Sequence, residues 1–177
     1  MPHFPLKPFS PPPSPFSIIV DCDLKENQLR VHFALTGDIN SLNLPKPSKS
    51  PQRIDGLYHH TCLEIFLKRG TQYLECNFSF SGDWCLFLFD GYRKKSLLEA
   101  ELDSKIFNID HISRSDKEAS LKVSLLLNNL NFLKGQENQI GLSAILEHPK
   151  EILSYWALSH VAEKPDFHRS ESFIVKL

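Results

Sequence analysis

The stretch that decides the fold is residues 58–93, which read YHHTCLEIFLKRGTQYLECNFSFSGDWCLFLFDGYR. Three runs of strand-forming residues follow one another here, separated by short polar breaks. With a period of two, the first run has one apolar face and one mixed face, and the mixed face carries Cys62, Glu64, Phe66 and Lys68. The second run has a polar face formed by Tyr73, Glu75, Asn77 and Ser79. The third run, 84–90, is apolar on both sides, which predicts a central strand.

A hairpin turn is predicted between the second and third runs. Gly82, within Ser81-Gly82-Asp83, can adopt the positive backbone dihedral that a tight turn needs. A two-residue turn would put Glu75 and Asn77 on the face of Trp84, whereas a three-residue loop would put them on the face of Phe87. The sequence is compatible with both registers.

Length and composition predict one folded domain. The chain has 177 residues, 41% of them hydrophobic and 11% aromatic, which is enough for a full core. Its formal net charge of -1 argues against a duplex nucleic-acid partner or an anionic membrane partner. The N-terminus shows no export-signal pattern and no run approaches the ~18 apolar residues of a membrane span, so we expect a cytoplasmic protein. The four cysteines have no CxxC spacing and are predicted to be reduced core residues.

Residues 1–16 read MPHFPLKPFSPPPSPF and form a Pro-rich extended arm ahead of a single domain over 17–177. Prolines recur every third residue from Pro2 to Pro11, which is the period of a polyproline II helix. Such an arm could be a ligand for an SH3-type partner. We favour the alternative that it lies along its own domain.

The remaining chain predicts a series of short strands. Further strand candidates are 17–23, 28–35, 106–113, 119–127, 139–147, 155–159 and 172–177. Helical turns are predicted within 94–103 and 128–135, and the Pro- and Ser-rich segment 36–55 is predicted to be either mobile or part of a binding rim. Many short strands with hairpin turns and hardly any amphipathic helix predict an all-β fold, an antiparallel two-sheet β-sandwich.

A second cluster of rings and polar groups occurs at 154–169, SYWALSHVAEKPDFHR, where a strand runs into a loop. Aromatic rings beside fixed polar groups are how proteins hold sugars and other polar cyclic ligands. Each residue also has a structural explanation: Trp84 and Trp156 are typical core anchors, and Asp166 is a typical turn residue. The prediction of a binding site therefore depends on their occurring together.

The sequence offers little for catalysis, cofactors or metals. The pairs His59-His60 and His160 with His168 lack the spacing of a zinc site, and Met1 is the only methionine that could serve as a haem ligand. No GxSxG, HExxH or glycine-rich phosphate loop is present. A hydrolase would need a carboxylate pair, which Glu64, Glu75 and Asp90 could form only in the right register. We therefore predict no enzyme, no cofactor and no metal site.

Five blocks of the chain, HHTCLEIFL, YLECNFSFSGDW, FDGYR, SYWALSH and KPDFH, resemble bacterial DOMON-like proteins, which are related to family 9 carbohydrate-binding modules. The resemblance extends over most of the chain, from about the first strands to the C-terminus, and the order and spacing of the blocks make it specific. The resemblance implies a non-catalytic β-sandwich of the kind that binds sugars or haem. It also implies that Glu64 lies on the E-x-F strand of sugar-binding relatives and that Asn77 lies on the strand after it.

The sequence thus predicts a small-molecule binding sandwich, with a carbohydrate or sugar-like molecule as the first candidate ligand. Trp84 and Trp156 are the candidate stacking rings. The candidate polar contacts are Glu64, Asn77, Asp90, Arg93, His160, Asp166 and His168. The alternatives are a haem- or metal-binding domain that uses histidines, and a protein-interaction module that works through its arm or a sheet edge without a pocket.

Overall fold

A computed structural model describes residues 1–98, 102–130 and 137–176. The regular structure in these ranges is strand, interrupted by single turns of 3-10 helix. The strands are β1 (His3–Pro5), β2 (Lys7–Pro8), β3 (Phe16–Lys25), β4 (Gln28–Gly37), β5 (Cys62–Arg69), β6 (Gln72–Phe78), β7 (Trp84–Gly91), β8 (Lys94–Lys95), β9 (Phe107–Arg114), β10 (Glu118–Leu126), β11 (Gln139–His148), β12 (Ile152–Ala157) and β13 (Val175–Lys176). Within the described ranges, no helix is long and apolar enough to cross a membrane.

The strands form two antiparallel sheets, which confirms the predicted β-sandwich. The smaller sheet has the order β1-β3-β4-β10-β9. The larger sheet has the order β2-β12-β11-β5-β6-β7-β8, and β13 also pairs with β11. Between the sheets lies one large apolar cluster, to which β5 contributes Leu63, Ile65 and Leu67. Burying side chains of this size stabilises the fold by about 1.5–3 kcal/mol each.

The β6–β7 hairpin adopts a register that places acidic residues beside rings. Phe78 lies opposite Trp84, so the loop is Ser79–Asp83, which is longer than either predicted turn. Gly82 has the expected positive φ, at 91°. Because the loop has an odd number of residues, Glu75 lies opposite Phe87, on the face that the three-residue alternative predicted.

The N-terminal arm is part of both sheets. Phe4 in β1 lies opposite Val20 of β3, and Pro8 in β2 lies opposite Trp156 of β12. Between the two short strands, the Leu6 side chain is buried in the core. Residues 1–16 therefore lie along their own domain, in strand pairing and not as a free polyproline helix.

Three other segments differ in detail from their predictions. The 36–55 segment starts at the end of β4, and its last residues lie along the edge of β7, where the Trp84 N–H donates to the Gln52 carbonyl at 3.1 Å. Within 94–103, Lys94–Lys95 form strand β8, Leu97 and Leu98 have the 3-10 conformation of the predicted helical turn, and residues 99–101 lie outside the described residues. The turn predicted over 128–135 is present as a 3-10 turn at Leu127–Asn129, and its remainder from 131 lies outside the described residues.

Candidate functional site

A cleft of about 560 Å³ lies on the face of the larger sheet that points away from the smaller sheet. Its rings are Tyr58, Phe66, Phe87, Phe89, Tyr155 and Phe167, and its polar residues are His59, Glu64, Glu75, Arg93, Lys95 and His168. The volume falls in the ~300–1,000 Å³ range that is usual for small-molecule sites. We call this site the outer cleft.

Strand alternation assembles the floor of the outer cleft. Glu64 on β5 lies opposite Asn77 on β6, and one row along Phe66 lies opposite Glu75. Tyr155 on β12 is separated from Phe87 on β7 by four strand spacings, which corresponds to roughly 19 Å across the sheet. The cleft is therefore elongated and runs across the strands.

Two buried carboxyl groups occupy the floor. Glu64 is 2% exposed, and its Oε2 accepts a hydrogen bond from Ser143 Oγ at 2.8 Å. Glu75 is 5% exposed, and its Oε1 accepts from Asn77 Nδ2 at 2.8 Å. Burial, and then the neighbouring charge of Glu75, raise the pKa of Glu64 to about 8, against the opposing effect of the Ser143 hydrogen bond. At neutral pH the Glu64 carboxyl is therefore mostly protonated.

Asn77 leaves one acceptor without a partner below the cleft. Its side chain is fully buried, and Oδ1 has no hydrogen bond to any described residue. A buried carbonyl oxygen without a donor costs about 1–3 kcal/mol. Asn77 does not line the cleft, so this unsatisfied acceptor lies buried beneath the floor.

His168 is held in one orientation by a chain of hydrogen bonds. The Arg93 backbone N–H donates to Tyr73 Oη at 3.0 Å, so the Tyr73 hydroxyl hydrogen is available to donate to His168 Nδ1 at 2.9 Å. The proton of the neutral ring is thereby assigned to Nε2, which faces Glu75 Oε2 at 3.7 Å. Burial, and then the charge of Arg93, lower the pKa of His168 to about 4, so the ring is neutral at pH 7.

Asp166 anchors residues 165–168, the segment that covers one side of the cleft. Its carboxylate accepts hydrogen bonds from Tyr92 Oη at 2.6 Å, Arg93 Nη2 at 2.9 Å and Arg169 Nε at 3.2 Å. Burial alone would raise the pKa of Asp166, but the hydrogen bonds from Tyr92 and Arg93, the Arg93 charge and the His168 backbone N–H lower it below its ordinary value. The neighbouring Phe167 and His168 are thereby fixed against the sheet.

The structure brings together five of the nine residues that the sequence singled out. Glu64, Arg93 and His168 line the outer cleft. Asn77 lies beneath the cleft, opposite Glu64 on the neighbouring strand, and Asp166 forms a salt bridge with Arg93.

The two tryptophans that were candidate stacking rings do not line the outer cleft. Trp156 is 3% exposed, belongs to the core between the sheets, and donates from Nε1 to Ser154 Oγ at 3.0 Å. Trp84 packs against the same core, with its ring 5.2 Å from that of Phe107. Both side chains point inward because they occupy the inward-facing positions of β12 and β7.

Asp90 and His160 are also absent from the lining. Asp90 accepts a hydrogen bond from Gln72 Nε2 at 3.0 Å, next to the end of β7. His160 Nε2 lies 2.8 Å from the Lys7 carbonyl oxygen, and its ring contacts Phe9 edge-on. His160 therefore fixes the N-terminal arm.

The functional residues that the site prediction missed are mainly outward-facing rings. Phe87 and Phe89 alternate with core residues along β7, and Tyr155 is the direct neighbour of Trp156. Glu75 was recognised only as a possible carboxylate partner. The period-two pattern of β5 and β6 contained this signal, because Cys62, Glu64 and Phe66 share a face with Glu75.

The described histidines do not assemble a metal site. Among the residues that the structure describes, no group of three or more His, Cys, Asp or Glu side chains could hold a metal ion. His148, for example, lies with Nε2 at 2.9 Å from Ser154 Oγ in the core.

Comparison with known proteins places the fold. No protein-family model matches the chain, and no curated protein matches its sequence. A family 9 carbohydrate-binding module from Caldicellulosiruptor kristjanssonii, solved in complex with cellotriose, superposes with a TM-score of 0.59 at 10% identity, over 88% of this chain and 71% of that one.

A Bacteroides uniformis protein that is assigned by inference to carbohydrate binding also superposes, with a TM-score of 0.59 at 10% identity, over 97% of this chain and 84% of that one. The relation to family 9 modules is supported at the level of fold, and the DOMON part of the sequence resemblance stays a prediction. The chain thus has an antiparallel β-sandwich fold like that of a family 9 carbohydrate-binding module.

Proposed function

We propose that this chain is a non-catalytic binding domain for a carbohydrate or sugar-like small molecule, which is held in the outer cleft. The observation that carries the proposal is the cleft itself, where six aromatic rings surround buried carboxyl groups on one face of a sheet. Rings accept the C–H faces of a sugar, and carboxyl, guanidinium and imidazole groups bind its hydroxyls.

The rings lie at both ends of the cleft. At the β12 end, the Tyr155 and Phe167 ring centroids are 6.2 Å apart. At the β7 end, those of Tyr58 and Phe87 are 6.3 Å apart, and Lys95 Nζ lies 4.5 Å from the Phe87 centroid. An elongated ligand can therefore contact rings at each end and polar groups between them.

The site is ordered before a ligand arrives. Glu64 is fixed by Ser143, and His168 is fixed by Tyr73. Because these side chains lose little freedom on binding, the entropic cost of binding is small. The similar fold of a family 9 module that was solved with cellotriose also supports an elongated sugar as the ligand.

The test is a panel of soluble oligosaccharides, measured by thermal shift and titration calorimetry. At least one sugar should raise the melting temperature, and Tyr155→Ala should weaken its binding by about 10-fold, because a stacked ring contributes about 0.5–1.5 kcal/mol beyond the area that it buries. Ile19→Ala, on the smaller sheet and 41% exposed, is the control and should bind as the wild type does. The absence of any shift across the panel would contradict the proposal.

A second candidate function is acid–base hydrolysis of a glycoside. It is favoured by the pairing of Glu64, which is protonated at neutral pH, with the nearby Glu75. Release of reducing ends from the bound sugar, abolished in Glu64→Gln, would establish it. Binding without turnover would leave the non-catalytic function.

A further inference from the structure

We propose that the outer cleft binds a glycoside with an apolar aglycone, the group that is attached through the glycosidic oxygen. The sugar ring lies over Glu64, and the aglycone lies at the β12 end of the cleft. This inference rests on the proposed function and names the class of its ligand. Its basis is the change in side-chain chemistry along the cleft.

The β12 end of the outer cleft is lined by aliphatic and aromatic side chains, and we call it the apolar end. Its residues are Ile145, Leu153, Tyr155, Pro165 and Phe167. Among these five residues, the Tyr155 hydroxyl is the single polar side-chain group. The apolar end therefore offers little to the hydroxyls of a sugar and much to a hydrocarbon group.

The charged residues that line the cleft lie on strands farther from β12. Glu64 is on β5 and Glu75 is on β6, while Arg93 and Lys95 lie at and in β8. The sheet order places β11 between β12 and β5. A ligand that lies along the cleft thus meets charged groups from β5 to β8 and apolar groups at β12, so the polar sugar and an apolar substituent are sorted to opposite ends.

The apolar end is only partly covered by the protein. Ile145 belongs to a buried apolar cluster, against which the partly buried Leu153, Tyr155 and Phe167 pack. The Tyr155 and Phe167 ring centroids are 6.2 Å apart, so the two rings contact each other. A ligand group that covers the surface left exposed by these side chains removes apolar area from water, which favours binding.

Polar side chains that border the apolar end have partners inside the protein. Glu147 lies opposite Leu153, and its carboxylate accepts from Asn43 Nδ2 at 3.0 Å and lies 2.8 Å from His60 Nδ1. His160, whose ring centroid is 6.4 Å from that of Phe167, has Nε2 at 2.8 Å from the Lys7 carbonyl oxygen. Neither residue lines the cleft. An apolar aglycone needs no such partner, whereas a second sugar ring would need several.

The spacing between Glu64 and the apolar end suits one sugar ring followed by its aglycone. Ser143, which donates to Glu64, lies opposite it on β11, and Ile145 follows two residues later. Two residues of a strand span roughly 7 Å. A sugar that contacts Glu64 can therefore direct its glycosidic substituent onto Ile145 without leaving the cleft.

The experiment compares methyl, hexyl and phenyl β-glycosides of glucose, galactose and N-acetylglucosamine by titration calorimetry, with 1-hexanol and phenol as sugar-free controls. For the sugar that binds, we expect the hexyl or the phenyl glycoside to bind at least about 10-fold more tightly than the methyl glycoside, which is the effect of burying about two methylene groups. The heat-capacity change on binding should also be more negative. A preference for hexyl indicates an alkyl aglycone, and a preference for phenyl indicates an aryl one.

Leu153→Asn tests the position of the aglycone. It should lower the ratio of hexyl to methyl affinity by about 3-fold or more, because an amide replaces apolar surface at the apolar end. Leu24→Asn makes the same change at a 37% exposed position of the smaller sheet and should keep the wild-type ratio. The comparison of ligands on the wild type does not depend on how well either variant folds.

Equal affinity for the methyl, hexyl and phenyl glycosides overturns the aglycone proposal and leaves the carbohydrate function standing. A preference that Leu153→Asn leaves unchanged also overturns it, because the aglycone then lies elsewhere. The same holds if an oligosaccharide binds while all nine glycosides fail. If 1-hexanol or phenol binds as tightly as its glycoside, or if neither the glycosides nor the oligosaccharides bind, both proposals are overturned.

Discussion

Replacing Glu64 with glutamine should make the protein more stable at neutral and alkaline pH. The carboxyl is buried, and its pKa in the folded state is about 8, against an ordinary value of 4.5. The folded state therefore holds a proton that the unfolded state releases between these two pH values, and wild-type stability falls as pH rises through that window. Glutamine keeps the shape and the acceptor for Ser143, and it has no proton to lose.

The size of the effect follows from the displacement of the pKa of Glu64. Each pH unit between the two pKa values corresponds to about 1.36 kcal/mol. The buried Glu64 carboxyl therefore lowers the free energy of unfolding of the wild type by about 3 kcal/mol at pH 7 and by about 5 kcal/mol above pH 8. These are upper bounds because water in the cleft screens the charge, and we expect a measured difference of about 1–3 kcal/mol at pH 8. At pH 4.5 and below, the two proteins should have the same stability to within about 0.5 kcal/mol.

The assay is urea unfolding of both proteins at pH 4.5, 6, 7 and 8, followed by tryptophan fluorescence, with Glu118→Gln as the control for removing an exposed acid. The difference between Glu64→Gln and the wild type should grow steadily with pH. Parallel stability curves, or a wild type that gains on the variant as pH rises, would refute the reasoning that Glu64 is a desolvated acid in the folded state.

Three further predictions concern the segment that covers the cleft. Asp166→Asn should lower stability by about 1–2 kcal/mol and weaken sugar binding, because it removes the charged acceptor that three donors share; chemical unfolding and calorimetry measure the two effects. Gly141→Ala should destabilise by about 1–3 kcal/mol in urea unfolding, since a Cβ there would lie 2.4 Å from Phe173 Cδ1; an unchanged midpoint would contradict this packing. His168→Asn should flatten the loss of stability between pH 6.5 and 4, because the lowered pKa of the buried imidazole makes the folded state resist protonation there; an unfolding series across this range checks it.

Local patterning in the sequence was sufficient to predict the longer strands and the fold class, but not the short strands β1, β2 and β8. Period-two alternation in 62–68 and 73–79 predicted which side chains share a face, whereas the observed pairing of Glu64 with Asn77 also depends on the β5–β6 register. The sequence did not decide between the two registers of the β6–β7 hairpin. Whether the loop has an even or an odd number of residues depends on the backbone geometry around Gly82 and on the packing of Pro51 against it.

The site was harder to predict because its cover comes from distant parts of the chain. Phe173 stacks on Phe66, 107 positions earlier, and no local pattern indicates that pairing. Trp156 was a predicted stacking ring, yet in β12 one step of alternation separates buried Trp156 from Tyr155 in the cleft. The strand is apolar at both positions, so its orientation depends on the sheet that it joins.

The paired N-terminal arm has a consequence for how the protein folds as it is made. Lys7 cannot pair with Ala157 of β12 until Ala157 has left the ribosome, and β2 cannot cover the edge of the larger sheet before then. The hydrogen bond from the Phe9 amide to the Tyr155 carbonyl, at 2.8 Å, likewise forms only after Tyr155 has been synthesised. Until Ala157 has emerged, the nascent chain has an unpaired sheet edge to which co-translational chaperones can bind.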